Sequence, residues 1–317
     1  MLTIADIRDA QRAIAGRIHR TPLLSLRALG ERIGTDAYVK AEVLQKTGSF
    51  KVRGALNKVR LLSDEERARG LIALSAGNHA QGVAYAAAAF GARATVVMPA
   101  AAPRSKVAAS LGYGAEVVQH GTLGDALERS LELQREHGYT YVHPYDDLAV
   151  MAGQGTVGLE ILEDLPDADV IVAGVGGGGL AIGVAAAVKT LRPSARVIGV
   201  EPERSAALTE ALRAGKPVRI QGGATIADGL DAPEAGKLVL ELAPALLDDV
   251  VLVTEEELAA GVGFLLERGK LLAEPAGASP IAALLAGKIQ VRPGERVVAV
   301  ASGGNVDLSR LTGLLAR

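Results

Sequence analysis

One lysine in the sequence stands where carbonyl chemistry would need it, at the predicted start of a helix. Residues 47–53 read TGSFKVR, and a helical pattern begins near Lys51 and continues toward Leu62. Because the positive end of a helix dipole disfavours a positive charge, we expect the pKa of Lys51 to be lowered. A neutral lysine amine is the form that attacks carbonyl groups. A solvated lysine beside Arg53 is the ordinary alternative.

A glycine-rich run follows a β-branched stretch in the second half of the chain. Residues 174–180 read GVGGGGL, directly after a predicted strand over 170–173. The N–H groups of such a turn converge on an anion, and the next helix adds its positive end, so we expect a phosphate site. A tight turn is the alternative. The run also fits G-x-G-x-x-G, and Glu201 ends the next strand, where a nicotinamide-dependent oxidoreductase has its ribose-binding acid.

Two further polar turns follow predicted strands. Residues 75–79 read SAGNH and residues 302–305 read SGGN. Either turn could simply cap a helix, but the first could equally hold a carboxylate through its hydroxyl, amide and backbone N–H groups. We assign no acid–base role to His79. Because ligands bind at the carboxyl ends of strands in open parallel sheets, we expect these turns to share one site.

The elements that position these turns alternate along the chain between short apolar runs and helical patterns. The predicted strands are Ala37–Ala41, Leu71–Leu74, Ala94–Met98, Glu116–Gln119, Thr140–Val142, Val170–Ala173, Val197–Val200, Val250–Val253 and Arg296–Val300. The predicted helices are Ile4–Ile18, Lys51–Leu62, Asn78–Phe90, Pro103–Leu111, Leu123–His137, Gly178–Leu191, Glu255–Arg268 and Ala276–Ala286. This βαβα alternation predicts an α/β fold with parallel sheets. We expect a smaller unit at residues 70–143, inserted into a larger one made of 1–69 and 144–317.

The composition excludes several classes of protein. The 317 residues include no cysteine, which rules out disulfides, thiolate catalysis and cysteine-ligated metals. A formal net charge of −2 without a basic run argues against a nucleic-acid partner. The uncharged stretch 170–188 is interrupted by six glycines, so it favours strand, turn and helix over a membrane span. Residues 1–8 lack a secretory pattern, and we expect a cytoplasmic protein.

Taken in order, these segments resemble the fold-type II pyridoxal-phosphate enzymes, in particular the short threonine dehydratases and the serine racemases. The similarity runs from residues 19–23 to residues 302–308, and it includes AGQGT at 152–156 and EPAG at 274–277. It implies a fold like that of the tryptophan synthase β subunit, with pyridoxal 5′-phosphate between two parallel-sheet α/β domains. It also implies a homodimer or a homotetramer.

The resemblance further implies roles for individual residues. Lys51 would hold the cofactor as a Schiff base and act as the catalytic base. Asn78 would contact the ring hydroxyl of the cofactor, and Ser302 its pyridine nitrogen. The residues expected to hold the cofactor are Phe50, Lys51, Asn78, Gly176, Gly177, Gly178, Gly179, Leu180 and Ser302. The residues expected to form the substrate pocket are Ser75, Ala76, Gly77, Asn78 and His79.

The implied reaction removes water and ammonia from a hydroxy-amino acid, giving 2-oxobutanoate from L-threonine and pyruvate from L-serine. A serine hydroxyl at position 302 cannot stabilise a fully protonated pyridine, which favours elimination over transamination. Serine racemases carry a second serine where this chain has Ala76, so we expect little or no racemisation. Serine racemase and 3-hydroxyaspartate dehydratase stay as alternatives within the family.

The same resemblance makes Glu201 a weak candidate for a metal ligand. Relatives that bind a divalent ion pair such a glutamate with an aspartate six residues later, where this chain has Ala207. We therefore expect no metal. We also expect no regulatory domain like that of the longer biosynthetic dehydratases, and no feedback control by isoleucine through it.

Overall fold

The structure, a computed structural model, describes residues 1–221 and 225–315. Within these residues the chain forms ten strands: β1 (Leu23–Ser25), β2 (Asp36–Ala41), β3 (Leu71–Leu74), β4 (Ala94–Met98), β5 (Glu116–Gln119), β6 (Thr140–Tyr141), β7 (Val170–Gly174), β8 (Arg196–Pro202), β9 (Asp249–Val253) and β10 (Arg296–Ala301). Its helices are α1 (Ile4–Ile14), α2 (Arg27–Ile33), α3 (Lys51–Arg60), α4 (Asp64–Arg69), α5 (Asn78–Ala89), α6 (Arg104–Gly112), α7 (Leu123–His137), α8 (Leu148–Asp164), α9 (Gly179–Leu191), α10 (Ala207–Ala214), α11 (Lys237–Leu246), α12 (Glu255–Phe264), α13 (Pro275–Leu285) and α14 (Leu308–Leu315).

The strands form two sheets. The larger has the order β1-β2-β10-β7-β8-β9 and the smaller the order β5-β4-β3-β6. Neighbouring strands are parallel in both sheets except for β1, which pairs antiparallel with β2. The predicted α/β class with parallel sheets is therefore confirmed. Strand β1 was not among the predicted strands, because a three-residue edge strand is too short to show a period.

Apolar side chains cover both faces of the larger sheet. Along β7, Val170 and Val172 join the apolar cluster that α12 and α13 form on one face. Ile171 and Ala173 join the cluster that α8 and α9 form on the other face. This alternation is the two-residue period of a strand. The larger sheet is thus the middle of three layers, and its strand ends are the edge that remains open to a ligand.

Helix α8 was absent from the elements predicted from the sequence. Its buried positions run without a break from Val150 to Leu162. A side chain at Gly153 would come within 2.5 Å of the Arg53 carbonyl oxygen, and one at Gly158 within 2.8 Å of the Val184 carbonyl oxygen. A helix enclosed on all sides shows no amphipathic period, so periodicity could not reveal it.

Helix α3 lies between the two sheets. Its residues Val52 and Leu56 belong to the same apolar cluster as Leu71 and Val96 of the smaller sheet, whereas Arg53 bonds to α8. The strands of the smaller sheet all fall within residues 71–141. We keep a smaller unit of residues 70–143 and a larger one of 1–69 and 144–317 as a proposal. Residues 316 and 317 of that larger unit lie outside the described residues.

Candidate active site

A cavity of about 590 Å³ lies between the two sheets, at the carboxyl ends of β3, β7 and β10. This volume is typical of a site for a small molecule. The structure brings every predicted cofactor and substrate residue to its wall: Phe50, Lys51, Ser75, Ala76, Gly77, Asn78, His79, Gly176, Gly177, Gly178, Gly179, Leu180 and Ser302. Turns that are far apart in sequence therefore meet at one place.

Lys51 is the first residue of α3, and its amine faces the cavity. The Nζ atom donates a hydrogen bond of 2.8 Å to the carbonyl oxygen of Pro144. Burial lowers the pKa of Lys51 to about 8, although the negative charge of Glu274 acts in the opposite direction. The predicted direction is confirmed, but its main cause is burial rather than the helix dipole. A pKa of about 8 leaves part of the amine neutral near neutral pH.

The turn that carries Lys51 is tied to the turn that follows β10. The backbone N–H of Phe50 donates to the Ser302 carbonyl oxygen at 3.0 Å, and that of Gly304 donates to the Gly48 carbonyl oxygen at 2.9 Å. Ser302 is buried, with 4% of its surface exposed, and it lines the cavity. These two backbone bonds fix Ser302 and Lys51 relative to each other.

The polar turn 75–79 leads from β3 into α5. Helix α5 begins at Asn78, and its N-cap residue is Gly77. Because glycine has no side chain to cap the helix, no N-cap side chain accepts a hydrogen bond from the first backbone N–H groups of α5. The Oγ atom of Ser75 accepts a hydrogen bond from the Gly77 backbone at 3.1 Å and keeps its own proton to donate. The turn can therefore bind an anionic group through a hydroxyl and a helix N-terminus.

His79 takes part in this turn as a neutral side chain. Its Nε2 atom lies 2.8 Å from the carbonyl oxygen of Val142, which can only accept, so the proton is on Nε2. Burial and the nearby charge of Lys51 lower the pKa of His79 to about 3. The remaining ring nitrogen carries only a lone pair. The side chain of His79 therefore has no proton left to donate to a carboxylate. Its backbone N–H can still donate one.

The glycine loop between β7 and α9 is compact because it packs against Tyr145. A side chain at Gly177 would overlap the Tyr145 ring, and one at Gly179 would come within 2.9 Å of the Tyr145 carbonyl oxygen. Gly178 has a φ of +93°, which only glycine adopts readily. These glycines are therefore required by the packing of the loop.

Residues 176–180 of the same loop line the cavity. For none of their five backbone N–H groups is there a hydrogen-bond acceptor in the part of the chain that the structure describes. Buried N–H groups without partners are rare in proteins, since each costs free energy. A bound phosphate would supply the missing acceptors at a helix N-terminus.

Glu274, Asn305 and Tyr145 contribute to the site without having been assigned a role from the sequence. Glu274 precedes α13 and lines the cavity. Its Oε1 atom accepts a hydrogen bond of 2.5 Å from Asn78 Nδ2, and burial raises the pKa of Glu274 to about 7. Asn305 donates from Nδ2 to Asn78 Oδ1 at 2.8 Å. The motifs EPAG and SGGN contained two of these residues, but only the fold brings them to Asn78.

Glu201 lies outside the cavity and has a local structural task. Its Oε1 atom accepts from the Leu208 backbone at 2.7 Å, and its Oε2 atom accepts from the backbone and hydroxyl of Thr209 at 2.9 and 2.6 Å. Both carboxylate oxygens thus cap α10. This use of Glu201 removes the main support for a nicotinamide cofactor, since the acid is not free to bind a ribose.

Neither a metal-binding cluster nor a membrane span is found in the part of the chain that the structure describes. Within residues 1–221 and 225–315, His, Cys, Asp and Glu side chains do not form groups of three or more that could hold a metal ion. Over the same residues, no helix is both long enough and apolar enough to cross a membrane.

Comparison with known proteins gives consistent matches over nearly the whole chain. Residues 14–303 match the family described as pyridoxal-phosphate dependent enzyme. The L-threonine ammonia-lyase of Thermotoga maritima is 48% identical over 312 residues, covering 98% of this chain and 77% of that protein. The catabolic L-threonine dehydratase TdcB of Escherichia coli is 44% identical over 313 residues, covering 98% and 95%.

Solved structures agree with these sequence matches. The structure of maize serine racemase superposes with a TM-score of 0.93 at 36% identity, covering 99% of this chain and 97% of that one. The processed form of threonine deaminase isoform 2 from Solanum lycopersicum superposes with a TM-score of 0.92 at 36% identity, covering 99% and 91%.

Proposed function

This chain belongs to the pyridoxal-phosphate dependent enzyme family, and we propose that it removes water and ammonia from L-threonine to form 2-oxobutanoate. L-Serine, which would give pyruvate, is the proposed second substrate. The observation that carries the proposal is the convergence of Lys51, the glycine loop and the turn 75–79 on one cavity. Relatives named for threonine ammonia-lyase or dehydratase activity, at 44–48% identity, support the choice of substrate.

The residues of the cavity fit the cofactor. The five N–H groups at residues 176–180, which have no acceptor among the described residues, suit its phosphate, and Lys51 supplies the amine that a carbonyl group requires. Phe50, Asn78 and Ser302 would surround its ring. When bound, the cofactor withdraws electrons from the α-carbon of an amino acid and so makes the proton there acidic.

Lys51 would then serve as the base that takes this proton. A general base works best when its pKa is close to the working pH, and burial brings the pKa of Lys51 to about 8. The hydrogen bond to Pro144 restrains the amine in the cavity. Lys51 therefore has the two properties that the role needs, a fixed position and a neutral form that is populated.

The substrate carboxylate would bind at the start of α5. Ser75 offers a hydroxyl proton, and the first backbone N–H groups of the helix offer further donors. His79 would contribute through its backbone N–H, since its side-chain proton is used by Val142. Ser302 would give the pyridine nitrogen a hydroxyl rather than a carboxylate, and a hydroxyl cannot neutralise a positive charge there. That difference favours elimination over transamination.

Serine racemisation is the second candidate, because the maize serine racemase structure is closely similar. Racemisation needs a proton donor on the face of the substrate opposite Lys51. Ala76 occupies the position at which racemases of the family have a serine, and its methyl group cannot transfer a proton. We therefore rank dehydration above racemisation. We also propose a homodimer or homotetramer that acts in the cytoplasm, where free amino acids are available.

The test is chemical labelling combined with assay of the products. Protein loaded with pyridoxal phosphate is reduced with borohydride and digested, and ammonia release from L-threonine is measured in parallel. We expect the label on Lys51 and no ammonia from Lys51→Ala. Lys46→Ala is the matched control, because Lys46 is exposed and does not line the cavity, and it should keep wild-type turnover. A label on another lysine, or turnover by Lys51→Ala, would contradict the proposal.

A further inference from the structure

The side-chain amide of Asn78 is held from two sides by residues distant in sequence. Asn78 Nδ2 donates to Glu274 Oε1 at 2.5 Å. On the other side, Asn305 Nδ2 donates to Asn78 Oδ1 at 2.8 Å. The two partners approach different ends of the same amide. Together they decide which end of Asn78 is nitrogen and which is oxygen.

This orientation of the Asn78 amide is unambiguous because the hydrogen-bonded series from Thr47 to Glu274 has an acceptor at each end. Asn305 Nδ2 also donates to the Thr47 carbonyl oxygen at 2.8 Å, and a carbonyl can only accept. Asn305 must therefore direct its nitrogen toward Thr47 and Asn78. The carboxylate of Glu274 likewise accepts, so it requires the nitrogen of Asn78. A flipped Asn78 would bring nitrogen against nitrogen and oxygen against oxygen.

One hydrogen of Asn78 is left over in this arrangement. An amide nitrogen carries two hydrogens, and Glu274 takes only one of them. Asn78 lines the cavity, as does Glu274, whereas the oxygen of Asn78 points to Asn305. The second N–H is therefore the group that the Asn78 side chain can offer to a ligand in the cavity.

We propose that Glu274 and Asn305 are positioning residues that hold Asn78 with this second N–H available to the ring oxygen of the cofactor. The inference rests on the proposed function, since it assigns the ring oxygen as the acceptor. Neither residue needs to touch the cofactor. Each would act by preventing the rotation of about 180° that exchanges the nitrogen and oxygen of an amide.

The experiment measures the bound cofactor directly rather than turnover. Visible absorbance of the loaded protein is titrated against pH, and the Kd for pyridoxal phosphate is measured by fluorescence. Asn305→Asp keeps the shape of the side chain but presents only acceptors to Asn78. We expect its Kd to rise about tenfold, as for the loss of one hydrogen bond. We also expect the titration midpoint to rise by about one pH unit, because the ring oxygen loses a donor and becomes more basic.

A double-mutant cycle separates positioning from a general structural effect. Asn78→Ala removes the donor itself and should show the same shift in midpoint and Kd. If Asn305 acts through Asn78, adding Asn305→Asp to Asn78→Ala changes neither quantity further. An Asn305→Asp protein that behaves as the wild type would overturn the inference. So would an effect of Asn305→Asp that persists in full without Asn78.

Two variants of Glu274 provide a second route if Asn305→Asp does not fold. Glu274→Gln keeps an acceptor for Asn78 and Glu274→Met does not, while both remove the negative charge. The difference between them therefore reports the acceptor alone, and we expect the larger rise in Kd for Glu274→Met. Equal values for the two would overturn the inference. Wild-type protein that takes up no pyridoxal phosphate would instead overturn the proposed function and this inference together.

Discussion

Arg53 offers a sharp test of how the start of α3 is held in place. Its guanidinium is fully buried and donates to both oxygens of Glu42, each at 2.8 Å. It also donates to both oxygens of Glu160, at 2.7 and 2.9 Å. Lys40, which is buried as well, lies 2.7 Å from Glu160. Two positive and two negative charges thus balance in the interior, two residues beyond Lys51.

We expect Arg53→Met to lower the free energy of unfolding by about 3–5 kcal/mol, the cost of leaving a buried charge without its partner. Glu42 would then have lost its ion-pair partner, and Glu160 would keep only Lys40. Arg53→Lys keeps the charge, but a lysine ammonium cannot donate two hydrogen bonds to each carboxylate as the guanidinium does. Its free energy of unfolding should therefore be lower by about 2 kcal/mol. The expected order of stability is wild type, then Arg53→Lys, then Arg53→Met.

The assay is urea unfolding of the cofactor-free chain, with circular dichroism as the measure of the folded fraction. Glu42→Gln, added to Arg53→Met, restores the balance to one positive and one negative charge, and it should recover part of the lost stability. A loss below about 1 kcal/mol in Arg53→Met would refute the reasoning, since that is no more than the value of an exposed ion pair. A further decrease in the free energy of unfolding when Glu42→Gln is added would also refute the reasoning.

Three further changes test other parts of the site. Gly177→Ala places a methyl group on the Tyr145 ring, so we expect a loss of about 1–3 kcal/mol in urea unfolding, whereas Gly112→Ala, which meets no atom within 4 Å, should be neutral. Burial raises the pKa of Glu274 from 4.5 to about 7, so between these values its carboxyl keeps a proton in the folded chain that it has lost in the unfolded chain, and the contribution of Glu274 to stability falls as pH rises. Glu274→Gln should remove this fall, which amounts to about 3 kcal/mol at most, when unfolding is compared at pH 5 and pH 8; an equal fall in both proteins would contradict the assignment. Ala76→Ser adds a hydroxyl to the substrate pocket, and chiral chromatography should detect D-serine formed from L-serine by this variant but not by Ala76→Gly.

The sequence was sufficient for the parts of the site that are local in the chain. A glycine run after a buried strand, and a lysine at the start of a helix, are recognisable because strand, turn and helix signals extend over only a few residues. The same is true of the alternation that predicted parallel sheets. Helix α8 could not be found in this way, because it is buried on every side and carries no amphipathic pattern.

The tertiary structure decided the properties that depend on surroundings. The helix dipole predicted a lowered pKa for Lys51, but burial by other segments is its main cause. The position of Glu201 at the end of a predicted strand is that of the ribose-binding acid in dinucleotide enzymes. In the structure both of its carboxylate oxygens instead accept hydrogen bonds from backbone N–H groups of α10. Asn78 is oriented by Glu274 and Asn305, which are 196 and 227 residues away in sequence. Desolvation and hydrogen bonds depend on distance in space, so only the folded chain determines them.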